Sequence, residues 1–197
     1  MNVIGEEYWH VHRLGFYDDL WCEGQELEID ENFSSNFYQN YSLREDALTK
    51  QYGSYDIDEV IKNLESIREY KDLEYKLYHA FSSLAQNLYI FRREKALEEG
   101  RKLYNPDAPS RLHAIYLTNF ESLQYWHVNV DMGKVFSVDV RGQIFVSSDI
   151  LFPTITADLD EQVRESKSYW QPKKLTLDMP IEYLFQGELR VNENLKI

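Results

Sequence analysis

The chain has 197 residues, 21 Lys and Arg against 34 Asp and Glu, and a formal net charge of -13. That length suits one domain spanning residues 1–197 and is tight for two, while the charge argues against coating duplex nucleic acid through its phosphates. With 43% hydrophobic and 15% aromatic residues, including 15 Tyr and 10 Phe, the sequence carries too much buriable surface for a disordered chain.

Taken in chain order, residues 8–13 form a short strand pattern, and 22–55, rich in Asn, Ser and Tyr, reads as an ordered loop region. A helical insert follows over about 56–104. Asp56 and Glu59 have capping-box spacing, and Val60, Ile61, Leu64 and Ile67 recur at helical intervals. A second stripe, Leu73, Leu77, Phe81, Leu84, Leu88 and Phe91, runs into the charged stretch 92–99, with a break expected at 68–72. Pro106 and Pro109 end the helical region. Beyond it, strands are expected at 114–118, 134–140, 143–147 and 182–191, with a short helix at 121–126 and a longer polar one at 159–170. Strands at both ends around a long helical segment imply an α+β fold rather than a doubly wound sheet.

The one cysteine, Cys22, excludes an intrachain disulfide and a CxxC metal site, and fits a reduced, cytoplasmic compartment. Residues 1–15 lack a basic segment followed by an apolar one, and no window approaches the roughly 18 apolar residues of a membrane span, so no membrane partner is expected.

Three clusters carry residue types suited to chemistry. In Tyr8-Trp9-His10-Val11-His12-Arg13, strand alternation sends His10 and His12 to one face and Trp9, Val11 and Arg13 to the other. The second cluster is Pro109-Ser110-Arg111 with Ala114 to Thr118 and then Tyr125-Trp126; the third is Pro180-Ile181-Glu182-Tyr183-Leu184. Each also has a structural reading. The histidines can be hydrogen-bonded core residues, Tyr116 and Tyr125 amphipathic core residues, and Glu182 a solvated strand start. Ser110 can cap a turn, and Arg111 can pair with one of the many acids.

In order along the chain, the clusters resemble the His, Tyr, Glu triad of the diphtheria-toxin-like branch of the ADP-ribosyltransferase superfamily. Trp9-His10-Val11-His12 resembles the aromatic-His-x-Thr element, with His12 in place of Thr. Ile115-Tyr116-Leu117-Thr118, with Tyr125 and Trp126, resembles the Tyr-x-Thr element and its second aromatic, and Ile181-Glu182-Tyr183-Leu184 resembles the final Glu element. Through Pro109-Ser110-Arg111, Tyr169-Trp170 and Glu182 to Val191, the chain also resembles a bacterial family, domain of unknown function 2441, which is grouped with that superfamily.

The resemblance implies split antiparallel sheets carrying a long helical insert, and NAD as substrate. It implies Glu182, His10 and Tyr116 as catalytic residues, with Glu182 on the ribose 2'-hydroxyl stabilising an oxocarbenium ion. Tyr116 with Tyr125 or Trp126 would stack on nicotinamide, and Arg13 and Arg111 would meet the pyrophosphate. His12, Ser110 and Trp170 complete the implied NAD-binding set. No Gly-rich fingerprint points to Rossmann-type binding.

The leading expectation is therefore an NAD-dependent mono-ADP-ribosyltransferase or NAD glycohydrolase of a toxin or defence type, with a protein, small molecule or water as acceptor. A non-catalytic nucleotide- or protein-binding module on the same fold is the alternative. A metal-dependent hydrolase using His10 and His12 with a carboxylate, His79, His113 or His127 is the third.

Overall fold

The computed structural model describes residues 2–13, 21–33, 73–130, 132–154, 156, 158–176 and 178–195. The expected first helix of the insert, its break at 68–72 and most of the loop region up to 55 lie outside the described residues.

The fold is α+β. Its five described strands form one antiparallel sheet: β1 (Asn2–His12), β2 (Glu26–Ile29), β3 (Ile115–Leu117), β4 (Lys134–Ser148) and β5 (Ile181–Leu195). The order is β1-β4-β5-β2, and β3 also pairs β5. β4 runs beside β5 from Ser148↔Ile181 to Val135↔Leu195. The other edge of β5 is shared, first by β3 against Tyr183 to Phe185, then by β2 against Gly187 to Arg190. The sheet curls far enough for Trp9 and Thr118 to exchange backbone hydrogen bonds at 3.0 and 2.8 Å, joining β1 to β3. Register shifts at Ile4/Glu6 and Ser137/Val138 mark bulges, which bend a strand and strengthen its twist.

Two expected strands, 134–140 and 143–147, are one 15-residue strand. Gly142 signals no turn between them; it lies opposite Gly187, where the two backbones approach too closely for side chains. The strand expected to begin at residue 8 begins at Asn2, and β2 lies inside the expected loop region.

Alternation along the strands supplies both faces of the sheet. Ile115, Leu117, Phe185, Val138 and Ile144 join Tyr8, Trp21 and Ile29 in one core cluster. The intervening Tyr116, Leu184 and Phe145 meet Leu97, Tyr169 and Trp170 in a second.

The second cluster is covered by helices. α1 (Leu73–Tyr104) is one 32-residue helix, about 48 Å long at 1.5 Å per residue. The short α2 (Leu123–Asn129) follows β3. The expected helix over 159–170 is two pieces, α3 (Leu159–Glu165) and α4 (Lys167–Trp170), meeting at Ser166. Asp158 caps α3 by accepting from the amides of Asp160 and Glu161 at 2.9 and 3.3 Å. Gly100 lets α1 come down on this junction, since a Cβ there would collide with the Ser166 side chain. The Trp170 indole then donates to the Leu97 carbonyl at 2.6 Å. Among the described residues, no helix is long and apolar enough to cross a membrane.

Gly187 has φ 141°, and a Cβ there would run into the Arg141 carbonyl. Gly187→Ala is expected to lower unfolding free energy by about 2 kcal/mol, read from the urea midpoint at unchanged slope.

Candidate functional site

On the second face of the sheet, the ends of β1, β3 and β5 open into a cleft of about 330 Å³. Trp9 and Val11 contribute from β1, Tyr116 and Thr118 from β3 and its extension, Trp126 from α2, and Glu182 from β5. Arg93, Arg111, Asp149 and Phe152 complete the polar and aromatic wall. That size and mixture suit a ring-bearing small molecule oriented by a few polar groups.

The position of Glu182 is fixed by its neighbour. The Ile181 carbonyl accepts from the Thr118 hydroxyl at 2.9 Å and the Trp126 indole at 2.8 Å. The Ile181 amide donates to Ser122 Oγ at 2.9 Å. Across the ladder, Ser147 pairs with Glu182, and its hydroxyl donates to the Tyr169 carbonyl at 2.8 Å. Strand start, helix and short helix are thereby tied around one carboxylate.

The Glu182 side chain is only 4% exposed, so its charge requires a partner. Arg111 Nη1 and the Tyr169 hydroxyl both donate to Glu182 Oε1, and Arg111 Nη1 also lies 2.6 Å from the Tyr169 oxygen. Arg111 Nε donates to Glu94 Oε2 at 2.8 Å, while Arg93 grips Glu94 Oε1 through Nε at 3.0 Å and Nη2 at 2.9 Å. Both guanidinium groups also lie within 5 Å of the Phe152 ring, at 4.7 and 4.8 Å.

These contacts shape the titration of the network. Burial opposes the Arg111 charge, but Glu182 and Glu94 outweigh it and hold its pKa well above the ordinary value. Burial pushes the Tyr169 and Tyr116 hydroxyls up, Arg111 pulling both the other way, so both remain protonated donors. The Tyr116 hydroxyl donates to the Arg111 carbonyl at 2.7 Å, stapling the loop that carries Arg111 to β3.

Of the residues singled out by sequence, Glu182, Tyr116, Arg111 and Trp126 come together in the cleft. Tyr125 stands at its edge, 40% exposed, donating to Asp149 Oδ2 and meeting the Trp126 ring edge-on at 5.1 Å. Both guanidiniums are on the cleft wall: Arg111 is committed to Glu94 and Glu182, and the less buried Arg93 to Glu94 alone. Arg13 lies just past β1, exposed and outside the cleft lining. Ser110 accepts from the Leu112 amide at 3.3 Å and donates to Glu98 at 3.0 Å, a turn arrangement. Trp170 is 1% exposed in the core beneath α1.

His10 and His12 do not reach the cleft. Alternation gives that side of β1 to Trp9 and Val11 and turns both imidazoles into the first core. His10 stacks on Trp21 at 3.9 Å, with His12 5.5 Å from the same indole. His10 Nδ1 donates to the Tyr116 carbonyl at 2.8 Å, so this histidine holds β3 from behind the cleft wall. Among the described residues, no three or more His, Cys, Asp or Glu cluster where they could hold a metal ion. His113 Nδ1 instead lies 3.0 Å from the Phe33 carbonyl, and His127 is buried on α2.

Sequence reading missed Arg93, Glu94, Asp149, Phe152 and Tyr169 as neighbours of the cleft. For Glu94 a signal existed: it continues the spacing of Leu84, Leu88 and Phe91, and so falls on the inward stripe of α1 despite its charge. Nothing comparable marked Asp149, which the 3-10 turn Asp149–Leu151 brings to the wall after β4.

With the geometry in place, the family follows. The model of the family described as protein of unknown function (DUF2441) matches residues 8–196, and the chain belongs to that family. No curated protein matches it.

Burial lowers the His10 pKa to about 3, only partly offset by the bond to Tyr116 and aided by the neighbouring His12. Between about pH 6.5 and pH 3 the unfolded chain therefore binds a proton that the folded chain does not, and stability rises with pH across that window. Denaturant unfolding of His10→Asn, compared with wild type, is expected to flatten this limb by about 1 kcal/mol per pH unit. Arg111→Met leaves Glu94 and Glu182 buried without their shared cation, and unfolding is expected to show a loss of about 3 kcal/mol.

Proposed function

We propose that the chain binds NAD in this cleft and cleaves its N-glycosidic bond, as a mono-ADP-ribosyltransferase or NAD glycohydrolase on an ADP-ribosyltransferase-like fold. The supporting observation is a buried carboxylate, Glu182, set among the aromatic rings of Trp9, Tyr116 and Trp126 in one cleft. In the reaction, the bond from ribose C1' to the pyridinium nitrogen breaks and its electron pair stays on that nitrogen. Nicotinamide leaves neutral, and positive charge develops on the ribose. A carboxylate held beside the sugar stabilises that charge, and Glu182 is already oriented by Arg111 and Tyr169. Both of those donors fall on Oε1, so the ribose hydroxyl would take Oε2. The aromatic side chains would stack on the departing ring, and of the two guanidiniums on the wall Arg93, more exposed and paired with one carboxylate instead of two, would meet the phosphates. His10 serves through Tyr116, whose strand it anchors, and not by touching substrate.

A second reading, a nucleotide-binding module without turnover, draws on the same network. The ion pair with Arg111 neutralises Glu182, and a carboxylate so neutralised stabilises an oxocarbenium ion less than a bare one would. A toxin or defence role, with the cytoplasmic NAD pool as substrate, suits the first reading.

Calorimetric titration with NAD, followed by nicotinamide release from wild type and Glu182→Gln, separates the two. The expected outcome is release by wild type, its loss by at least about 100-fold in Glu182→Gln, and NAD binding retained by both. Binding without release by wild type would favour the module; absence of binding would overturn both readings.

A further inference from the structure

Glu182 is not the cleft's only carboxylate. Asp149 lines the same wall, and its two oxygens have different surroundings. Oδ2 accepts from the Tyr125 hydroxyl. Oδ1 is sequestered and has no hydrogen-bond partner among the described residues. A carboxylate on the cleft wall with one oxygen not engaged by a described residue has capacity to accept a further hydrogen bond.

We infer that Asp149 is the general base of the cleft, taking a proton from the water or other hydroxyl that attacks ribose C1'. The inference rests on the glycosidic-cleavage reading above and adds the second catalytic group. Glycoside hydrolases use two carboxyl groups in different roles, set apart by unlike environments; nicotinamide leaves without a proton, so the second carboxylate here has only the base role. Glu182 is buried and saturated at Oε1 by a cation and a phenol, which suits fixed charge stabilisation. Asp149 is half-buried on a 3-10 turn, with one oxygen held by Tyr125 and the other without a partner among the described residues, which suits proton transfer. The cleft that Asp149 lines gives the attacking water its approach.

The step balances without a further reactant. The water oxygen forms a bond to C1', the C1'–nitrogen bond breaks with its electron pair going to nicotinamide, and one water proton passes to Asp149. Asp149 then returns that proton to solvent. The products are nicotinamide, ADP-ribose and a proton. Burial and the bond to Asp149 raise the Tyr125 pKa to about 12, so Tyr125 remains a donor and leaves the accepting to the carboxylate.

The test compares wild type with Asp149→Asn, measuring NAD affinity by calorimetry and nicotinamide release with and without azide. Azide attacks C1' without giving up a proton and needs no base. The expected result is unchanged NAD affinity, release slowed by about 100-fold, and recovery of release with azide. Wild-type release by Asp149→Asn would overturn the inference and leave the cleavage reading standing. So would slowed release that azide does not restore, or loss of NAD affinity, either of which makes Asp149 a binding or structural residue. Absence of release by wild type would overturn the cleavage reading and this inference together.

Discussion

One buried cation organises the cleft side of this protein. Arg111 sits on the loop before β3, yet its guanidinium binds Glu94 from α1, Glu182 from β5 and Tyr169 from α4. Four segments distant in sequence therefore meet at one side chain that is 6% exposed. Such a centre is expensive to desolvate and compensates only when every donor is met, so it constrains the approach of helix to sheet more tightly than apolar packing can. The geometry of Glu182 follows directly from it.

The curl of the sheet supplies the other half of the site. A flat sheet would leave β1 and β3 apart on opposite sides of β4 and β5. Bulges near Gly5 and Ser137, together with the Gly142 and Gly187 contact, allow the bend that lets Trp9 and Thr118 bond. That bridge sets Trp9 beside Tyr116 and Trp126, making an aromatic cleft from three elements. Behind it, His10, stacked on Trp21 in the first core, donates to the Tyr116 carbonyl, so the two cores meet across a single strand.

The two faces of the sheet divide the work. The first core is apolar apart from its imidazoles, and burial keeps His10 neutral through the physiological range. The second holds the alternating charges Arg93, Glu94, Arg111 and Glu182 beneath the cleft. Polar groups in the low-dielectric face are pre-oriented, a condition for acting on charge that develops during a reaction.

Much of this was legible in the residues. The α+β class, the helix reaching Tyr104 and the period-two strands come from periodicity and residue type, which are local properties, whereas the grouping of Tyr116, Trp126, Arg111 and Glu182 was implied by the resemblance. Alternation also separated His10 and His12 from Trp9 and Val11 correctly as two faces. Which of those faces met the cleft was undetermined, because that depends on the curl and on what packs from outside. The inward turn of Glu94, the commitment of Arg111 to two carboxylates and the arrival of Asp149 in the cleft that holds Glu182 are likewise long-range. A sequence states which side chains carry charge; only the tertiary structure decides which charges share a dielectric, and that sharing makes the cleft.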